Sequence, residues 1–142
     1  VWGAAAYRFT KQPSISMARW AQTHGKVQEN RMSAPFYITT PIYYVNARPH
    51  LGHAYTTVCA DVINRYHRMV TDETFFLTGT DEHGDKIMRA ARNEGLTPRE
   101  YVDKISSLFK QLWPQLNIAN DDFIRTTDVK HINVVTSILQ KI

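Results

Sequence analysis

The chain has 142 residues, about one domain's worth, with enough apolar content for a core. Its one cysteine, Cys59, excludes an internal disulfide framework and cannot alone build a zinc site, and no apolar run approaches the ~18 residues of a membrane span. The formal charge is +4, but residues 1–34 carry five basic side chains against Glu29 alone while the remainder carries twelve of each sign, so the later part has no electrostatic footprint for nucleic acid.

In chain order, residues 1–34 form a basic leader rich in Ala, Arg, Ser and Gln, nearly free of acids and without a strong period. That composition suits a mitochondrial presequence and predicts the mitochondrial matrix, with a disordered extension of a cytoplasmic protein as the alternative. Residues 36–40 (Phe-Tyr-Ile-Thr-Thr) read as a strand. Residues 50–69 read as a helix, with Leu51, Ala54, Tyr55, Val58, Val62 and Tyr66 at near-helical spacing. Cys59 falls within it and reads as a buried, inert thiol.

Residues 74–78 (Thr-Phe-Phe-Leu-Thr) read as a second strand ending at Gly79, and residues 85–93 as a helix closed by Gly95. Thr97-Pro98-Arg99-Glu100 combines a capping box with proline at the first helical position, starting a helix that Pro114 stops near Trp113. Residues 122–126 suit a third strand, and Asp128 a cap for a last helix over 129–142. The alternation predicts parallel βαβ units, hence an α/β sheet with flanking helices.

Two unusual segments follow strand ends, where ligands of parallel sheets bind, and a right-handed crossover brings them to one crevice. The first ends in His50-Leu51-Gly52-His53 at a helix start. Unpaired N–H groups and the positive end of the helix dipole favour anions there, and the two rings can donate to phosphate oxygens. Gly52 leaves room for a flat base or ribose to approach the backbone.

The second segment, Gly79-Thr80-Asp81-Glu82-His83-Gly84, is acidic. Continued to Lys86 it is a near miss to the phosphate loop G-x-x-x-x-G-K-[ST], but Asp85 occupies the lysine position and three carboxylates would repel a triphosphate. The carboxylate of Asp81 instead suits a substrate ammonium, beside an apolar and aromatic wall of Ile42, Tyr43 and Tyr44. His50, His53 and His83 do not make a metal site, since the pair lacks the glutamate-bearing i, i+4 arrangement of a helical zinc site. Taken singly, each residue reads as packing or solvated surface; the pairing at two strand ends carries the argument.

His50-Leu51-Gly52-His53 resembles the HIGH signature of class I aminoacyl-tRNA synthetases, with leucine for isoleucine. With the preceding run from Tyr37 to Asn46 and the following Gly79–Gly84, residues from about 35 onward resemble the methionyl-tRNA synthetase family, in its bacterial and mitochondrial form. The resemblance implies a Rossmann-type catalytic domain that makes methionyl-adenylate from methionine and ATP with Mg2+, then esterifies tRNA. It implies that His50 and His53 contact ATP and stabilise the transition state, with Asn46 near the phosphates and Gly52 at the nucleotide. Asp81 would hold the amino group of methionine, and Ile42 and Tyr44 would line its pocket.

The family's KMSKS loop and its anticodon-binding domain do not occur in this sequence, and no zinc ligands are visible in it. Residues 35–142 thus read as the N-terminal part of an incomplete class I catalytic domain, with an open sheet edge and an uncovered apolar face, poorly stable and inactive alone. tRNA would bind through other regions, no membrane contact is expected, and the oligomeric state is open. The alternatives are a small HxGH nucleotidyltransferase, which would need a later basic phosphate-binding segment for which Lys141 is the sole candidate, and a non-catalytic truncated product.

Overall fold

A computed structural model describes residues 34–142, so the basic leader, except Ala34, lies outside the described residues. The elements run β1 (Phe36–Thr39), β2 (Tyr43–Tyr44), α1 (Leu51–Val70), β3 (Thr74–Asp81), α2 (Asp85–Asn93), α3 (Pro98–Gln115), β4 (Asp122–Arg125) and α4 (Val129–Leu139). All strand pairings are parallel. β3 is central: β1 pairs with its first half and β2 with its end on one edge, and β4 pairs along the other. The α/β sheet expected from the alternation is present.

Two features of the sheet were not predicted. β2 is too short for any period, and arises because the chain after β1 stays alongside β3. Thr40 N donates to Leu77 O at 3.2 Å and Val45 N to Asp81 O at 3.2 Å, while Pro41, lacking a donor, sits in the break between them. β3 also runs three residues beyond its expected end at Thr78. Gly79 does not close the strand but lies within it, in register with Ile124. A Cβ there would lie 2.0 Å from the Ile124 carbonyl oxygen, so the glycine lets β4 approach.

The core lies between the sheet and the α2–α3 pair, where Phe109 and Trp113 of α3 meet Tyr43, Val45, Ile87 and Phe123. The capping box of α3 forms as expected: Glu100 N donates to Thr97 Oγ1 at 3.2 Å, and Thr97 N to Glu100 Oε2 at 2.9 Å. Pro114 does not stop this helix; the last turn runs on to Gln115 and ends where Asn117 adopts φ 55°. There Ile118 N donates to Trp113 O at 2.9 Å, satisfying a terminal carbonyl.

Helix α1 starts and ends as expected, and it buries its polar side and not its apolar one. The buried residues are Thr57, Ala60, Asp61 and Asn64, whereas the apolar stripe is exposed, Leu51 at 84%, Tyr55 at 70% and Val62 at 60%. Cys59 is exposed as well, correcting its reading as a buried thiol. The polar face is buried because it clamps the connection from α3 to β4. Ala119 N donates to Asp61 Oδ1 at 2.7 Å, Arg65 Nη2 to Asn117 O at 2.6 Å, and Arg68 Nη2 to Asp121 Oδ1 at 2.8 Å. Asp121 in turn accepts from Phe76 N at 2.7 Å, locking the connection to β3. With Tyr37 and Phe75 exposed on the sheet and no buried residue in α4, the described residues do leave apolar faces uncovered. No described helix is long and apolar enough to cross a membrane.

Gly79 and Gly95 make a paired test. Gly95→Ala meets open space and only the positive φ of 68°, so it should cost about 1–2 kcal/mol. Gly79→Ala must force β4 away and should cost about 3 kcal/mol or more. Urea unfolding midpoints of the two variants check the order.

Candidate active site

The first segment is organised by its two histidines acting on each other. His50 is the N-cap of α1, with extended backbone (φ −133°, ψ 175°). Gly52 N donates to His50 Nδ1 at 3.1 Å, and His50 N donates to His53 Nδ1 at 3.1 Å. This is a capping box built from two imidazoles in place of a hydroxyl and a carboxylate. An Nδ1 that accepts a backbone N–H cannot carry a proton, so within this cap the ring proton of each histidine sits on Nε2. The rings stack with centroids 3.8 Å apart.

A Cβ on Gly52 would meet His50 Cε1 at 2.9 Å. The glycine is therefore needed by the cap itself, a reason that spacing alone does not reveal. Tyr43 corrects the sequence reading further: it belongs to the floor beneath the histidines and not to the wall with Ile42 and Tyr44. It is buried, donates to or accepts from Thr57 Oγ1 at 2.8 Å, and packs its ring against His53 at 4.8 Å and Phe109 at 5.7 Å. Burial, and secondarily the charge of His50, lower the pKa of His53.

Asn46 is exposed in the loop before α1, and its carbonyl accepts from Tyr101 Oη at 3.0 Å, tying that loop to α3. Ile42 is 43% exposed, and Tyr44 is half-buried. The stretch leading into the first segment lies beside the second, since β2 pairs with the end of β3. Tyr44 stands in register with Asp81, so their side chains emerge on the same side of the sheet. A Cβ on Gly84, whose φ is 124°, would lie 2.5 Å from the Tyr44 hydroxyl. Two constraints, left-handed backbone and close contact, thus demand glycine there.

Glu82 overturns part of the charge argument. Its side chain is fully buried and takes Arg125 Nε at 2.7 Å and Nη2 at 2.8 Å. Thr80 Oγ1 donates to it at 2.8 Å, and Thr127 Oγ1 also donates. Burial alone would favour the neutral acid, but the bonds from Arg125, Thr127, Thr80 and Ser106 outweigh it and hold the carboxyl below its ordinary range. The same bonding to Glu82 raises the guanidinium of Arg125. Glu82 therefore does not add to the exposed acidity of the loop. Asp81 is only partly buried, and among the described residues its carboxylate receives one hydrogen bond, a long one from His83 N at 3.4 Å. His83 itself lies 3.5 Å from Thr126 O through Nε2. No group of three or more possible metal ligands occurs among the described residues. An open apolar groove of about 570 Å³ runs from Leu51 and Gly52 past Tyr55 and Val58 to Leu116, beside the paired histidines.

The sequence reading missed the Glu82–Arg125 pair. An arginine directly after the apolar pair Phe123-Ile124, at the end of the strand, was the available signal, since a half-buried guanidinium needs an acidic partner.

Comparison with known proteins agrees with this geometry. The family model for tRNA synthetases class I (M) matches residues 36–142. The chain belongs to the class I methionyl-tRNA synthetase family. It is 55% identical over 106 residues to a methionine–tRNA ligase of Thermotoga maritima, covering 75% of this chain and 17% of that protein. It is 52% identical over 113 residues to that of Streptomyces coelicolor, covering 79% and 21%. Mycobacterium tuberculosis methionyl-tRNA synthetase in complex with methionyl-adenylate superposes with a TM-score of 0.68 at 45% identity, over 70% of this chain and 19% of that one. The chain spans about a fifth of the length of the relatives it matches.

The cap predicts a pH dependence. Folded His53 takes its proton below the ordinary 6.5, whereas unfolded His53 takes it near 6.5. Its contribution to stability is therefore fully present above pH 6.5 and falls as pH drops below that value toward the lowered folded pKa. Imidazole NMR should show His53 as the Nε2–H tautomer at neutral pH, titrating below 6.5.

Proposed function

We propose that residues 35–142 are the N-terminal part of the catalytic domain of a methionine–tRNA ligase, which activates methionine with ATP and transfers it to tRNA. The observation that carries this is the pair of capped imidazoles with Nδ1 spent on the backbone at a helix start, together with a carboxylate left open at the end of β3. The methionyl-adenylate bound by the Mycobacterium tuberculosis relative supports the same chemistry.

In this reading a carboxylate oxygen of methionine attacks the α-phosphorus of ATP, supplied as its Mg2+ complex. The new O–P bond forms as the bond to the bridging oxygen breaks, and pyrophosphate leaves with that electron pair. His50 and His53 donate to the phosphate oxygens on which charge grows; neutral rings with fixed tautomers can do so without first losing a proton. Asn46 lies by the phosphates and Gly52 by the nucleotide. Asp81 pairs with the methionine ammonium, and Ile42 and Tyr44 flank the thioether side chain, in a pocket that is apolar but for one polar anchor. A 3′-terminal hydroxyl of tRNA then attacks the acyl carbon and loses its proton, AMP leaves with the electron pair of the acyl–phosphate bond, and regions outside this chain bind the rest of the tRNA.

The composition of the leader supports a place in the mitochondrial matrix. The exposed apolar stripe of α1 and the uncovered sheet face support dependence on the remainder of the synthetase, so the segment alone is not expected to charge tRNA.

The test is exchange of pyrophosphate into ATP by the full-length synthetase carrying this segment. Exchange should require methionine, and His53→Ala should lower it roughly 10²–10³-fold, as loss of a donor aimed at developing charge does. Exchange driven instead by leucine or valine would overturn the choice of amino acid.

A further inference from the structure

Asp81 carries the proposed contact to the methionine ammonium, yet little in its own surroundings holds it. Its carboxylate receives only the 3.4 Å bond from His83 N among the described residues. Its neighbour Glu82 is the opposite case. Glu82 is fully buried and accepts from Arg125 twice, from Thr80 and from Thr127, while its backbone N donates to Thr126 Oγ1 at 2.9 Å. A carboxylate so saturated and so enclosed has neither lone pairs nor access for a ligand. Arg125 extends the grip, since its Nη2 also donates to Asp103 Oδ1 of α3. The end of β3 is thereby tied at once to the end of β4, to the residues that follow β4, and to α3.

Glu82, the first residue beyond β3, is drawn into the core, whereas Asp81, the last residue of the strand, stays partly exposed with Tyr44 as its register partner. We propose that the Glu82–Arg125 pair is the positioning device of this site: it fixes the Asp81 carboxylate beside Tyr44 and so sets how strongly the site holds the primary ammonium of its substrate. Glu82 and Arg125 act through Asp81 and do not touch substrate. The proposal rests on the reading of Asp81 as the ammonium anchor. A loose anchor loses binding because the carboxylate must be ordered when the ligand arrives, and not before.

The experiment compares two ligands of the full-length synthetase by calorimetry: methionine and 4-(methylthio)butanoate, which keeps the thioether and carboxylate and lacks the ammonium. Asp81→Asn tests the anchor and should abolish most of the preference for methionine. Glu82→Gln should lower the ratio of methionine to analogue affinity by about tenfold, a change of 1.4 kcal/mol, while analogue and ATP affinities stay within about twofold. Thr127→Val removes one donor to Glu82, keeps the fold's volume, and should lower the ratio by about two- to threefold; it decides the matter if Glu82→Gln does not fold. Merely structural damage would weaken both ligands alike, and that result, or an unchanged ratio in the folded variants, overturns the proposal. If Asp81→Asn lowers the ratio and neither other variant does, the positioning role fails while the anchor stands. If Asp81→Asn leaves the ratio unchanged, the anchor is wrong and the proposal falls with it.

Discussion

The hydrogen bonding of β3 on both edges is the constraint on which the rest of this structure depends. β1 and β2 hang from one side of it and β4 from the other, so every loop that carries chemistry is placed by its register against this strand. Gly79 makes the arrangement possible. With any side chain there, the Ile124 carbonyl could not approach, and β4 would lose its place along with Arg125. In a parallel sheet the carboxyl ends of all strands lie at one end, which is why segments distant in sequence reach one crevice.

At that end, opposite electrostatic tasks are separated by burial. Glu82 and Arg125 cancel one another within the fold, where an unpaired charge would be costly. Asp81, one residue away, remains partly exposed and open to a cation. The two histidines spend Nδ1 on the backbone, and burial disfavours the protonated form of His53. The region thus presents ring donors at the helix start and one open carboxylate at the strand end.

Much of this was legible in the sequence where the signal is local. The capping box at Thr97 and Glu100, the helix start at His50 and the turn at Gly95 depend on residues three or four apart, and all three stand where the pattern puts them. The two-residue β2 had no such signal, because only pairing with β3 makes it a strand. The helical period of α1 correctly identified a helix but did not say which of its faces is buried. Period reports which residues share a side, not whether that side meets the core or is left for something else to cover.

The sequence by itself determined the alternation of the longer strands and helices, the caps at His50 and Thr97, the family and the candidate residues His50, His53 and Asp81, since each follows from near neighbours or from a motif read along the chain. Only the tertiary structure decided that Glu82 turns inward to Arg125 while Asp81 turns outward to Tyr44, and that Tyr43 forms the floor under the histidines and not the wall beside them. Adjacent residues in a strand face opposite ways, and which way is in depends on what the rest of the fold brings against each face. Here that partner is an arginine 43 residues further along the chain.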